Sequence, residues 1–381
     1  MRIPLSSPDI REDDIQAVSD VLRTPHLSLG PKLEEFECAI EQYLRVSNAV
    51  AASSGTAALH LCVRALGIGE GDEVIVPSFA FIAVANAIQY ERATPVFVDI
   101  EPETLNLDPR CVEAAITRHT KAIVVVHTFG CPADMDAILE IARRHQLRVI
   151  EDACEAIGAE YKGRKVGTLG DIGVFAFYPN KQITTGEGGA VVTQNSGIAS
   201  LVRKLRNQGR GYREGWLQHT ELGYNYRISE MNCALGVEQL KRIDQILSRR
   251  QAIAQSYDRM LCRCPHLRLP LLSVLLRTLS WFVYVVRLGA RFTQFQRDWI
   301  VEEMTHRGIG VGRYFAPIHL QPIYQREPIS RGLPVTETVA SRTIALPFFN
   351  RIHESEIKEV CMTLIDSIES SRRFDTKSQT A

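Results

Sequence analysis

Leu33, Phe36, Ile40 and Leu44 recur at helical spacing, so Lys32 to Leu44 reads as an amphipathic helix. Before it, the pattern predicts an N-terminal arm and a helix from about Glu12 to Leu22. After it, short apolar runs alternate with helical patterns. Strands are expected over 49–52, 73–76, 95–98, 122–126 and 149–151. The helices between them are expected over 56–66, 83–90, 110–116 and 135–145. Nearly all-apolar strands separated by helices predict a parallel sheet covered on both faces. Ligands of such sheets collect at the carboxyl ends of the strands.

The rhythm then changes. Residues 173–177 and 189–193 read as strands with no long helix between them. A long helix is expected from about Ser229 to Ser256, with Leu235, Leu240, Ile243 and Leu247 on its apolar face. The chain is accordingly divided into a large α/β domain over 1–250, arm included, and a smaller α+β domain over 251–371. In the second, strands are expected within Leu279–Arg287 and helices near Gln294–Arg307 and Glu354–Ser370. The polar residues 372–381 read as a disordered tail.

Composition narrows the function classes. The chain has 381 residues, 45% of them hydrophobic, and 44 basic against 44 acidic side chains. That balance supplies no electrostatic footprint for nucleic acid. Nine scattered cysteines without a CxxC pair or a Cys/His metal spacing predict reduced thiols, a cytoplasmic protein and no metal site. The most apolar stretch, Leu271 to Ala290, is interrupted by Arg277 and Arg287, so core strands are expected there and no membrane span.

Four local features carry chemistry. Ser54-Gly55-Thr56 lies between a strand and a helix, where small residues and free helical N–H groups cradle a phosphate; a plain helix cap is the other reading. Asp152 ends an apolar strand; it would pair with a protonated ring nitrogen, or cap a helix. Phe79 or Phe81 could stack on a flat ring, or pack in the core. Lys181 follows the run Phe175-Ala176-Phe177 and precedes Gly186-Glu187-Gly188-Gly189; it is a candidate Schiff-base lysine, or a solvated loop lysine. The four fall at the carboxyl ends of four strands of one expected sheet. Together they supply what pyridoxal 5'-phosphate requires.

Motifs along nearly the whole chain resemble the DegT/DnrJ/EryC1/StrS family of pyridoxal-phosphate-dependent nucleotide-sugar aminotransferases. They are Leu27-Ser28-Leu29-Gly30-Pro31, Ser54-Gly55-Thr56-Ala57-Ala58-Leu59, Pro77-Ser78-Phe79-Ala80-Phe81, Glu151-Asp152-Ala153, Lys181 with Thr185-Gly186-Glu187-Gly188-Gly189, Gly223-Tyr224-Asn225-Tyr226-Arg227, and Tyr314-Phe315-Ala316-Pro317-Ile318-His319. The resemblance implies a fold-type I transferase with a mostly parallel seven-stranded sheet. It implies that Lys181 forms the Schiff base, Asp152 pairs with the pyridine nitrogen, Phe81 stacks on the ring, and Gly55 and Thr56 hold the phosphate. Glu155 stands where relatives carry Gln or His near the cofactor. Asn225 is expected to reach the cofactor phosphate of a neighbouring subunit, which implies a homodimer with its sites at the interface. Arg227 and His319, and more weakly Arg213, are expected to meet substrate anions. Ala176 departs from the pattern: a serine there donates to the phosphate, a hydrogen bond worth roughly 1.5–3 kcal/mol.

The implied reaction moves an amino group from an amino acid, glutamate first, to a keto sugar on a nucleotide. Thr184-Thr185-Gly186-Glu187-Gly188-Gly189 resembles enzymes that aminate C4 of a 4-keto-6-deoxy sugar more than those that aminate C3. Sugar dehydratases of the same fold carry histidine in place of Lys181. A non-catalytic regulator would need a DNA-binding element, for which the chain has no basic helix-turn-helix pattern. An enzyme acting on amino acids alone is disfavoured by the motifs around Asn225 and His319.

Overall fold

The computed structural model describes residues 1–211, 218–325 and 332–372. The chain opens with α1 (Glu12–Leu22), α2 (Pro31–Leu44) and β1 (Asn48–Ala52). Alternation follows through α3 (Gly55–Ala65), β2 (Glu73–Pro77), α4 (Ala83–Tyr90), β3 (Thr94–Val98), α5 (Pro109–Ala114), β4 (Thr120–Val126), α6 (Met135–His145) and β5 (Arg148–Asp152). Then come β6 (Glu160–Tyr161), β7 (Arg164–Lys165), β8 (Ile172–Ala176), β9 (Gly189–Thr193), α7 (Ser196–Arg206), α8 (Glu230–Lys241) and α9 (Ile243–Leu261). The remainder is β10 (Leu267–Arg268), β11 (Arg277–Thr278), β12 (Tyr284–Leu288), α10 (Gln294–His306), α11 (Pro334–Ala340), β13 (Thr343–Leu346) and α12 (Glu354–Ser371).

Seven strands form the main sheet in the order β1-β9-β8-β5-β4-β2-β3. β9 alone runs against its neighbours, β1 and β8. No helix joins β8 to β9, so the chain returns antiparallel. β1, β2, β5 and β8 point the same way, and their carboxyl ends share one edge of the sheet.

Side chains alternate between two apolar layers, as the pleat requires. Ile75, Ile123, Val125 and Val149 face a layer built with α2, α6 and α8. Val74, Val76, Val124 and Ile150 face the layer of α3, α4 and α7. A third cluster gathers Tyr257, Tyr284, Ile300, Ile344 and Leu364, together with Ile3 from the N-terminal arm. The helix α9 runs between clusters: Ile243 and Ile246 join the first, Ile253 and Tyr257 the third.

The long helix expected from Ser229 to Ser256 is two helices, broken at Arg242 (φ −117°). The Arg242 guanidinium bonds Asp9 (2.9 Å) and Asp14 (2.6 Å), tying the N-terminal segment to the break. On α8 the buried face is Cys233, Gly236, Val237 and Leu240; Leu235 lies beside it, half-buried. Within Leu279–Arg287 only one strand of length forms, β12. Its partners are β10 and β13. No helix among the described residues is long and apolar enough to cross a membrane. The tail expected to be disordered lies, past Arg372, outside the described residues, as does Arg213.

Candidate active site

The sheet edge opens into a cavity of about 780 Å³. Its floor comes from the four strand ends. At the first, β1 turns through Ser54 into α3, and the Ser54 hydroxyl accepts from the Ala57 amide (3.0 Å). That cap leaves the Gly55 and Thr56 amides pointing out of the helix start with no intrahelical partner. A Cβ on Gly55 would lie 2.6 Å from the Ala176 Cβ, so only glycine fits against the end of β8. Across the turn, a Cβ on Gly189 would lie 2.5 Å from the Ser54 carbonyl oxygen, which draws the β9 start equally close.

At the second strand end, Phe79 is fully buried and packs edge-on against Phe129 and Phe315. Phe81 is 63% exposed and lines the cavity. The structure thus separates the two phenylalanines that the local pattern leaves open, and it is Phe81, the one the resemblance favours, that lines the cavity. At the third, Asp152 ends β5 and is buried, with Oδ1 accepting from the Cys154 amide (3.0 Å). Its neighbour Glu151 points to the opposite side. There it accepts from His127 Nε2 (3.0 Å) and from the amides of Gly167, Leu169 and Gly170 (2.6–2.8 Å). The Ala133 amide donates to His127 Nδ1 (3.1 Å), which leaves Nε2 as the protonated nitrogen. This network anchors the strand that carries Asp152.

At the fourth end stands Lys181, its side chain 14% exposed. Its Nζ lies 3.6 Å from Glu155 Oε1 and 4.2 Å from the centroid of the Phe282 ring. Glu155 Oε2 accepts from the Phe129 amide (3.0 Å). Burial pushes the Glu155 carboxyl above its ordinary range, and the Lys181 charge and the Phe129 amide only partly offset it. Asn180 also lines the cavity, and its Oδ1 is buried without a hydrogen-bond partner.

Gly55, Thr56, Phe81, Asp152, Glu155 and Lys181 therefore share one cavity, while Asn225, Arg227 and His319 do not line it. Asn225 is exposed, in a short bridge to Asn207. Arg227 donates to Asn207 Oδ1 (3.1 Å). His319 is buried, with Nδ1 2.6 Å from Ser78 Oγ and Nε2 3.3 Å from Glu337. Phe282, Asn180, Arg313 and Gln321 line the cavity without having been singled out from the sequence. Asn180 sits one residue before Lys181 and was within reach of a local reading; Phe282 and Arg313 arrive from distant segments and carry no local signal.

Pyridoxal phosphate fits these residues. The constricted Gly55 turn offers amides to a dianion, Asp152 offers an acid to a ring nitrogen, and Lys181 offers an amine to a carbonyl carbon. Ala176 lines the cavity, and its side chain contributes no donor.

Sheet, helix start, acid and buried lysine define a pyridoxal-phosphate-dependent transferase of the aminotransferase fold. The sequence profile of the DegT/DnrJ/EryC1/StrS aminotransferase family matches residues 8–365, and the chain belongs to that family of sugar aminotransferases. GDP-perosamine synthase of Caulobacter vibrioides is 40% identical over 366 residues, covering 95% of this chain and 97% of its own. DesV of S. venezuelae superposes with a TM-score of 0.87 at 36% identity, covering 97% of this chain and 98% of its own. Spr1654 of Streptococcus pneumoniae, in its PLP form, superposes with a TM-score of 0.92 at 27% identity, covering 97% and 100%.

Proposed function

We propose that the enzyme transfers an amino group from glutamate to C4 of a nucleotide-linked 4-keto-6-deoxy sugar. The observation that carries the chemistry is Lys181 Nζ, buried beside Glu155 and Phe282 in the cavity that Asp152 and the α3 start also line. The likeness to GDP-perosamine synthase supports a sugar linked to GDP and amination at C4. The nine unpaired cysteines suit a reducing cytoplasm.

The residues divide the work. The Gly55 and Thr56 amides bind the cofactor phosphate at the positive end of α3. The Asp152 carboxylate, fixed by the Cys154 amide, would hold a proton on the ring nitrogen, and Phe81 would stack on the ring. When bound, pyridoxal phosphate supplies an electron sink for the carbon that carries the amine. Lys181 Nζ takes the proton from the donor's α-carbon, and in the second half-reaction it returns a proton to the sugar carbon. Phe282, Tyr314 and Phe315 limit water around that amine. Asn225 is exposed in the single chain, which fits a role in a partner subunit's site and a homodimeric enzyme.

The purified protein should carry a visible cofactor band that glutamate converts to the amine form. The amine-loaded enzyme, offered GDP- and UDP-linked 4-keto and 3-keto sugars, should discharge fastest on the GDP-linked 4-keto sugar. A colourless protein that pyridoxal phosphate cannot reconstitute contradicts the proposal, and faster discharge on a 3-keto sugar moves the amination to C3.

A further inference from the structure

Five charged side chains line the cavity: Asp152, Glu155, Glu187, Lys181 and Arg313. Three are acids, yet both substrates of the proposed reaction are anions and the cofactor adds a phosphate. Lys181 is committed to the cofactor carbonyl. Arg313 is the remaining cation among the described lining residues.

Its surroundings leave that charge available. Arg313 Nε lies 2.7 Å from Asp298 Oδ1, and the same oxygen accepts from Arg297 Nε (2.8 Å). Arg297 is buried and donates its Nη1 protons to the Ala340 (2.7 Å) and Thr343 (3.2 Å) carbonyls. Two guanidinium groups thus share one carboxylate, and only Arg313 reaches the cavity. Glu302, 3.9 Å from Arg313 Nη2, is 67% exposed, so water screens it. The backbone is held as well: Gly312 exchanges both hydrogen bonds with Ala345 of β13 (3.0 and 2.8 Å). Nε is therefore the anchor, and the Nη pair is free to fork onto a phosphate.

Position selects the ligand. The Arg313 side chain is 46% exposed against 14% for Lys181, which puts the arginine at the rim and the amine at depth. A donor's α-carboxylate sits one bond from the reacting carbon and stays at depth. The diphosphate of a nucleotide sugar lies a sugar ring away from the keto carbon, toward the rim. We propose that Arg313 is the receptor for the acceptor's diphosphate, and so sets the affinity for nucleotide-linked sugars; this rests on the function proposed above.

The test compares wild-type holoenzyme with Arg313→Gln and Arg313→Lys, using GDP and UDP as probes in titration calorimetry. Loss of a charge-assisted contact should weaken the better-binding nucleotide at least about tenfold in Arg313→Gln. Arg313→Lys should recover part of the loss, because it keeps the charge and loses the fork. The visible band and the melting temperature report whether each variant is folded and loaded. The glutamate half-reaction, followed by that band, should change far less than nucleotide affinity. Equal nucleotide affinity in wild type and Arg313→Gln overturns the proposal, as does absence of nucleotide binding to wild type. A loss confined to the glutamate half-reaction also overturns it and makes Arg313 the donor's partner. Failure of wild type to aminate any keto sugar would defeat the proposed function alone, because nucleotide binding is read without turnover.

Discussion

Lys181 and Glu155 lie 3.6 Å apart in the cavity, and each gives a separate measurement. Lys181→Ala should lose at least about 10²–10⁴-fold in the glutamate half-reaction, the range for removing a positioned proton carrier. Stopped-flow absorbance of reconstituted variant and wild type checks it. Glu155 makes a statement about stability. Its folded carboxyl is raised above the ordinary value of 4.5, so the folded apoenzyme binds more protons than the unfolded chain at pH above that value. Stability conferred by the protonated carboxyl is therefore present at low pH and is lost as pH rises through the folded value. Glu155→Gln removes the titration. The melting temperature of the variant relative to wild type should climb as pH rises above about 4.5. A difference that stays flat with pH would show that Lys181 already compensates the buried charge. At this scale the site was legible where its signals are local. Gly55, Asp152 and Lys181 each stand at a strand end beside small residues, and the sheet does the rest. Phe282 and Arg313 were not legible, because the segment leading into β12 and the one before Tyr314 meet only in the folded chain, where Phe282 packs with Val283, Val285, Ala345 and Tyr314.

Elements in this fold are held by side chains far away in sequence, and α2 shows it best. Its N-cap is Gly30, which has no side chain to accept from the first amides. Glu230, buried at the start of α8, serves instead: its carboxylate accepts from the amides of Gly30 (3.0 Å), Lys32 (2.7 Å) and Leu33 (3.0 Å). A Cβ on Gly30 would lie 2.7 Å from Glu230 Oε2, so the glycine is required by the cap. Glu230→Ala leaves three amides unpaired and should cost about 3 kcal/mol in urea unfolding. Gly30→Ala should be destabilising through the same contact, and the double variant should show less than the sum. The same non-local logic explains which elements the sequence misplaced. The break at Arg242 has no glycine or proline to announce it; it comes from Asp9 and Asp14, more than two hundred residues upstream. Strands of two to four residues, such as β6, β7 and β13, are too short for a period to show. The longer alternation through β5 was readable because each strand faces two apolar layers and each helix one.

For the whole molecule the open question is whether one chain completes its own site. Of the nine described residues to which the resemblance gives a role, six share the cavity, and Asn225 lies outside it on the surface. The segment carrying Asn225 is rigidly built. Tyr224 and Tyr226 stack at 5.0 Å, the Tyr224 hydroxyl donates to Glu91 (2.6 Å), and His60 lies between Glu91 (2.8 Å) and the Tyr226 hydroxyl (3.0 Å). The Ser53 amide donates to the Tyr226 carbonyl (2.9 Å), so the segment is fixed against the turn between β1 and α3 of its own chain. Such ordering around an exposed asparagine suits a contact made on another copy. If Asn225 acts on the partner's site, Lys181→Ala and Asn225→Ala fall in the same site of a mixed dimer. A heterodimer of the two variants then holds one site with both residues and one with neither. Equal random mixing should restore about a quarter of wild-type sites from two impaired proteins, by the symmetry of a two-fold interface. Mixing that restores nothing, with subunit exchange shown by mass spectrometry, would place Asn225 outside the partner's site.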